Sequence, residues 1–402
     1  MTPDPNVVLV TDGEQRAALA VVRSLGAAGF RVIVAAQRKT SLAGASRFAA
    51  GKIQVPSALV DPASFVTAIR SATEANNVGL LIPIADDSLL PILEAREQFR
   101  GITIPFATPD QMRRISDKGA LLRIASKLGI SVPEQRVVES RSTAHDVDIP
   151  SLRFPVVVKP SRSVVEIGAK RAKVGVSHAA DAAELEARIA SYPDGAFPLL
   201  VQQRVVGPGI GVFLLVWNGE TVAVFGHRRI REHPPSGGVS VYREAILPDP
   251  ELVAKSRALL DCFMWQGVAM IEYKVEASTG DPYLMEVNGR FWGSLQLAID
   301  AGVDFPALLA RVARTGEGNV GAVHAGALRP GIRSRWEWGE ASHLLARVRK
   351  SREELALPAD APSLPRTLID MFRWRRGDRL EILRLSDPAP FWRETVDWFK
   401  RR

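Results

Sequence analysis

The sequence predicts a layered α/β fold that opens with a parallel sheet and continues into mixed α+β structure. Short β-branched runs alternate with amphipathic stretches along the N-terminal part. Farther on, polar turns at Asn218-Gly219 and Gly280-Asp281 separate apolar runs of strand length, the pattern of antiparallel hairpins. With 402 residues the chain exceeds one ordinary core and suggests about two or three domains. Its 46 % hydrophobic and 24 % charged residues fit a folded globular protein.

Residues 7–10 form an apolar run, 17–25 are amphipathic up to a stop at Gly29, and 31–35 form a second strand. Strand, helix, strand in that order gives a parallel sheet with a right-handed crossover. The connection TDGEQR has one glycine where a dinucleotide fingerprint needs three, which removes the main support for an oxidoreductase. The alternation continues with a strand at 51–56, a helix at 62–74 and a strand at 79–83. Asp86 and Asp87 follow that strand's carboxyl end, where open α/β sheets bind ligands, and at least one of them should cap the next helix. Asp117-Lys118 opens another helix, ended by Gly129. Periodicity alone puts Lys118 on the exposed side, and a cation in a first turn opposes the helix dipole.

In FPVVVKP, residues 154–160, Lys159 lies inside a β-branched strand. Burying it requires an anionic partner, and a phosphate would serve. The next loop carries Gly168 and Gly175 among Arg162, Lys170, Arg171 and Lys173, so it reads as a basic cover over an anion or as a solvated hairpin. After a helix at 182–190, LLVQQRVV leads into strands and turns. Arg228, Arg229 and Arg231 then cluster beside Ser236-Gly237-Gly238, which reads as a site for a carboxylate or acyl phosphate or as a flexible basic hairpin. Residues 250–263 form an amphipathic helix in which Cys262, beside Phe263 and Met264, reads as a buried structural thiol.

The stretch 266–306 organises the rest. Two strand-length runs, 268–271 and 283–287, flank the turn at Gly280-Asp281. Side chains in a strand alternate with period two, so Glu286, Asn288 and Arg290 share one face, and an antiparallel partner brings Glu272 to it. Two carboxylates and a carboxamide are hard oxygen ligands suited to Mg²⁺ held against phosphates, and Arg290 would complement a further anion. Residues 291–302 read as a buried helix with Phe291 and Trp292 in the core; another helix follows Asp304-Phe305-Pro306 and ends near Arg314.

The net charge of +8 is concentrated late: residues 329–402 hold 17 Lys/Arg against 11 Asp/Glu. Five tryptophans sit among these arginines, and prolines at 358, 362, 365, 388 and 390 break the segment into short helices. The same residues suit packing back on the chain, or docking at a membrane interface or an envelope-assembly partner. Zinc-finger spacing and aromatic–basic RNA-binding signatures are missing, so no nucleic acid is expected. The single cysteine excludes an intrachain disulfide. With no secretory signal and no apolar run near the ~18 residues of a membrane span, a cytoplasmic location is expected.

MEVNGRFWG, with IEY before it, resembles the metal-binding end of the ATP-grasp superfamily. It is most similar to the carboxylate–amine ligase-like branch, where an acidic–x–Asn–x–Arg segment runs into FWGS and an apolar helix. The resemblance spans roughly residues 7–314. It implies a parallel-sheet pre-ATP-grasp domain at 1–112 and an ATP-grasp small lobe at 113–200. A large lobe with the metal site follows at 201–330, then a basic Trp/Arg-rich helical tail at 331–402. SRFAAGKIQVPS is similar to the first domain's serine–arginine segment.

By the same resemblance Lys118 and Lys159 contact ATP phosphates, and Gln202, Gln203 and Val205 form the adenine-facing hinge. Relatives more often have Glu near Gln202 or Gln203, but backbone groups can supply the donor and acceptor that adenine needs. Glu272, Glu286 and Asn288 would bind Mg²⁺, or Mn²⁺, while Arg290 and Lys159 would act on the transferred phosphate. The activity implied is ATP-dependent formation of an acyl phosphate from a small carboxylate, then its capture by an amine with release of ADP and phosphate. Dimers are common among such proteins. Two rival readings are activation of bicarbonate, as in carboxylases and carbamoyl-phosphate synthases, and a non-catalytic nucleotide-binding scaffold. The chain has no biotin-carrier segment.

Overall fold

The computed structural model describes residues 2–146, 148, 151–162, 164–167, 170–235, 237–316, 328–355, 357–358 and 361–400. Strands β1 (Asp4–Val10), β2 (Arg31–Ala36), β3 (Ala49–Gln54) and β4 (Val78–Ile82) form a parallel sheet in the order β3-β2-β1-β4. Helices α1 (Arg16–Ala27), α2 (Pro62–Asn76) and α3 (Asp86–Glu94) accompany these strands. Every residue of β4 is buried, as expected of a parallel strand covered on both faces.

The strand order reverses between β1 and β4, and Asp12 sits at the carboxyl end of β1 with φ 57°. Its carboxylate accepts hydrogen bonds from the Ile84 and Ala85 amides at 3.2 and 3.1 Å. This corrects the capping expectation for Asp86 and Asp87. Residue Ala85 precedes α3, neither aspartate caps it, and the amides just before the helix are met by Asp12. Asp86 and Asp87 are thereby left to pair with Arg290 and Lys173, at 2.8 and 2.9 Å.

Helices α4 (Pro109–Ser116) and α5 (Lys118–Lys127) lead into a second sheet, and Asp117 caps α5 through the Ala120 amide at 3.0 Å. Its strands are β5 (Gln135–Val138) and β6 (Val156–Pro160), then, beyond the hairpin β7 (Val164–Ile167) and β8 (Lys170–Lys173), β9 (Ser177–Ala179) and β10 (Leu199–Gln203). The order is β5-β10-β6-β9, all antiparallel, with α6 (Ala182–Ser191) packed on it. Val138, Val156, Val158, Leu185 and Ile189 belong to a small core of its own. A larger core runs without a break from the first sheet into the third.

That third sheet holds β11 (Gly209–Trp217), β12 (Glu220–His233) and β13 (Val239–Ile246). After α7 (Pro250–Asp261) come β14 (Gly267–Val275) and β15 (Pro282–Asn288). Asn218 and Gly219 both have positive φ, 49° and 80°, the conformation an Asn-Gly hairpin turn requires. Helices α8 (Leu295–Asp300) and α9 (Phe305–Thr315) follow. The helix expected over 291–302 is therefore shorter, because Phe291 and Trp292 lie in the turn before it and pack on each other and, through Trp292, on Phe213 and Phe305. Cys262 is exposed, not buried: α7 turns Leu259, Leu260 and Phe263 inward and leaves the position between them outside.

The last segment is more than a string of short helices. β16 (Arg333–Arg335) pairs with β13, and β17 (Asp378–Leu380) pairs with β16, giving the order β15-β14-β11-β12-β13-β16-β17. Helices α10 (Glu337–Arg349), α11 (Leu364–Phe372) and α12 (Ala389–Lys400) complete it. Trp336 lies under Arg16 at 3.8 Å, and Trp338 packs on Trp398 with centroids 4.4 Å apart, so these three serve packing. Trp374 and Trp392 remain 59 % and 63 % exposed. Asp387 accepts from Arg23 and Ser46 at 2.8 Å each and from the Arg47 amide at 2.9 Å, so the serine–arginine segment anchors the tail to the first sheet. Among the described residues no helix is long and apolar enough to cross a membrane.

Candidate active site

Strands β14 and β15 pair antiparallel with Glu272 opposite Glu286, so both carboxylates leave the same face. Asn288 Nδ2 donates to Glu286 Oε1 at 3.2 Å, and Arg290 Nη2 donates to Asn288 Oδ1 at 3.1 Å. The period-two set is thus one connected ladder. Its last member is held from the other side by Asp86, 2.8 Å from Arg290.

Two lysines from different elements converge on this ladder. Lys118 Nζ lies 3.6 Å from Glu286 Oε2 and the residue is only 8 % exposed, contrary to the periodicity reading. Its helix α5 packs against β15, which buries a first-turn position that an isolated helix would expose. Lys159 is also buried, and burial pulls its ammonium down to about 8; the like charge of Lys118 adds to this while Glu286 and Glu272 oppose it. Burial acts to raise the Glu286 carboxyl, yet Lys118 and Lys159 outweigh it and hold Glu286 below its usual value. Glu272 goes the other way, raised by burial despite its pairing with Arg229 at 2.6 Å.

A pH prediction follows from Lys159. If its ammonium grips phosphate, MgADP affinity should fall as pH rises through about 8, by up to about tenfold per unit. Lys159→Arg should flatten that profile in calorimetric titrations. The stability sign is opposite: the unfolded chain keeps the proton up to 10.5, so stability should rise between about 8 and 10.5.

The arginines expected to act together on β12 separate. Arg228 pairs outward with Glu244 at 2.7 Å, and Arg231 pairs with Glu340. Only Arg229 reaches the carboxylates, bonding Glu232 at 2.8 Å as well as Glu272. It does so across β11, whose Gly209 faces it: a Cβ there would lie 2.7 Å from Arg229 Cδ. Gly211 pairs with Glu272 on one side and His227 on the other, which puts all three in one row across the sheet. Ser236 of the adjoining loop lies outside the described residues.

These groups line a cavity of 520 Å³. Its lining includes Gln202, Gln203 and Val205, the charged Lys118, Lys159, Glu272 and Glu286, and Arg16, His227 and Trp292. Seven Lys/Arg against three Glu line it, so it favours anions. Gln202 spends its carboxamide on Gln135 at 2.9 Å, and the Gln203 amide donates to the Glu134 carbonyl at 2.8 Å. A second cavity of 690 Å³ shares Lys118, Glu286 and Asn288 and is bounded by Asp86, Arg162, Arg171 and Phe197. The β7–β8 hairpin over this region is tied to α3 by Lys173–Asp87; Gly168, expected in it, lies outside the described residues.

Among the described residues there is no group of three or more His, Cys, Asp or Glu placed to hold a metal ion. Two carboxylates and the Asn288 oxygen fit Mg²⁺ differently: Mg²⁺ commonly takes one or two carboxylates and completes its shell with waters and phosphates. Here Lys118 and Arg229 neutralise the two glutamates. The sequence reading did not find Arg16 or the Arg229–Glu272 pair. The signal for the pair was present in Gly209-x-Gly211, since glycines at period two on a strand invite neighbouring side chains across it.

Residues 196–337 match the family model described as ATP-grasp in the biosynthetic pathway with Ter operon. A comparison with curated proteins finds no match. Among solved structures the chain is similar to L-amino acid ligase from Bacillus licheniformis, with TM-score 0.61 and 16 % identity over 79 % of this chain and 77 % of that one. It is also similar to a biotin carboxylase–β,γ-ATP complex from Campylobacter jejuni, with TM-score 0.63 and 14 % identity over 82 % and 74 %. A third is an ADP complex of N5-carboxyaminoimidazole ribonucleotide synthetase, with TM-score 0.62 and 16 % identity over 82 % and 81 %. At these identities the likeness is one of fold. Both that likeness and the match over 196–337 point to ATP-grasp proteins as what this chain is similar to.

Proposed function

We propose that this protein is an ATP- and Mg²⁺-dependent ligase that activates a small carboxylate as its acyl phosphate and joins it to an amine. The observation that carries this reading is the direct opposition of Glu272 and Glu286 with Lys118 and Lys159 converging on them. Phosphoryl transfer asks mainly for positioning and charge neutralisation, and these residues are of the right kind.

In this mechanism a carboxylate oxygen attacks the γ-phosphorus, the bond to the β–γ bridging oxygen breaks, and ADP leaves. The amine nitrogen then attacks the acyl carbon, the bond from that carbon to the phosphate oxygen breaks, and the nitrogen gives up a proton to solvent. Lys118 and Lys159 hold the phosphates. Arg290, oriented by Asp86 and Asn288, faces the transferred group. Gln202, Gln203 and Val205 line the adenine end. Glu272, Glu286 and Asn288 would hold Mg²⁺, which when bound supplies charge neutralisation at the phosphate oxygens.

Mg²⁺-dependent ADP release tests this. A panel of carboxylic acids with hydroxylamine as the trapping amine should give ADP and a hydroxamate in equal amounts. ADP release with bicarbonate alone would replace the reading with a carboxylase-like one. MgADP binding without release by any acid would leave a nucleotide-binding scaffold.

A further inference from the structure

We infer that the acid activated here carries a second oxygen acceptor, a hydroxyl, oxo or further carboxyl group, and no free amino group. Arg16, Trp292 and the His227–Ser294 pair, which line the 520 Å³ cavity, would recognise it. The inference rests on the ligase reading and names its substrate class.

The wall there holds polar atoms without partners. The Trp292 Nε1–H has no hydrogen-bond partner among the described residues, and the side chain is 2 % exposed. His227 is fully buried and its Nε2 likewise has none, while its Nδ1 faces the Ser294 hydroxyl at 3.3 Å. Both rings pack on Phe213, with centroids 4.4 and 4.8 Å from it, so they share one corner of the cavity. Buried polar atoms are rarely left without partners, and an indole nitrogen can only donate, so an oxygen acceptor on the substrate would satisfy the Trp292 N–H.

Arg16 adds a fixed cation. Its Nη1 is held by Glu381 at 2.7 Å and its guanidinium lies over Trp336. Its Nη2 turns to Gly293, where a Cβ would come within 3.1 Å, so the glycine keeps that nitrogen next to the cavity. A guanidinium held in this way is preorganised for a carboxylate or carbonyl oxygen.

Acceptors for an ammonium are taken. Glu232 and Glu272 are both engaged by Arg229 at 2.8 and 2.6 Å, and Glu381 by Arg16 and Arg243. An α-amino acid would have to bury its ammonium there beside arginines without a free carboxylate, which is strongly unfavourable.

The test uses the full chain with MgATP and hydroxylamine, comparing L-malate, 2-oxoglutarate and succinate with L-alanine and acetate. At least one oxygenated acid should give hydroxamate and ADP at a kcat/KM well above alanine and acetate. Trp292→Phe, which keeps the ring packing and removes the N–H, should raise KM for that acid about tenfold or more and leave KM for MgATP unchanged. Arg16→Lys, folded by circular dichroism, should act in the same direction. Preference for alanine, or an unchanged acid KM in both variants, would overturn the inference while leaving the ligase reading intact. MgADP binding with no turnover on any acid would overturn both.

Discussion

Glu286→Gln should reduce ATP-dependent turnover by at least about 100-fold and remove the Mg²⁺ dependence of ADP binding. Glu286 lies opposite Glu272, beside Asn288, and within 3.6 Å of Lys118. Replacing even an outer partner of a metal ligand typically costs about 10- to 100-fold, so loss of a direct carboxylate ligand should reach at least the upper end. The amide is nearly isosteric, and the fold should survive. Lys159 would lose one of the two anions that favour its charged form, so the pH profile of any residual nucleotide binding should move to lower pH. Unchanged turnover would reject the metal assignment.

Glu381→Ala should destabilise the protein by about 3–5 kcal/mol, the usual result of leaving buried cations without their partner. Glu381 is 2 % exposed and pairs with Arg243, which is fully buried, and with Arg16 at 2.7 Å. Its amide also donates to the Arg335 carbonyl at 2.7 Å, which locks it beside β16. The side chain therefore joins the tail, the third sheet and the first helix at one point. Denaturant unfolding should record the loss as a lower midpoint; a change below about 1 kcal/mol would mean that the pairs contribute no more than surface bridges do.

How much was legible follows from where the determinants lie. The β14–β15 hairpin could be read because period-two alternation and a Gly280-Asp281 turn are local, and register followed from burying one face. Lys159 could be read because a lysine among β-branched residues conflicts with its own surroundings. Lys118 could not be read from periodicity, since its burial depends on α5 packing against β15, a contact distant in sequence. A cap was expected from at least one of Asp86 and Asp87 and failed for the same kind of reason: Asp12, far away in the chain, satisfies those amides and leaves Asp86 for Arg290. The tail's strands were hidden because each has only three residues and exists by pairing, β16 with β13 and β17 with β16. Its tryptophans gave no warning which would be held in packing, as Trp336 and Trp338 are fixed by Arg16 and α12 respectively.

The central claim is that oxygen ligands from two adjacent strands hold a divalent ion against a nucleotide's phosphates. Crystals grown with Mn²⁺ and ADP would test it through anomalous scattering. The account places the peak between Glu272 and Glu286, in contact with Asn288 and the phosphates, with Lys159 on the phosphate oxygens. A peak elsewhere, or ADP bound with both glutamates still on Arg229 and Lys118, would contradict it.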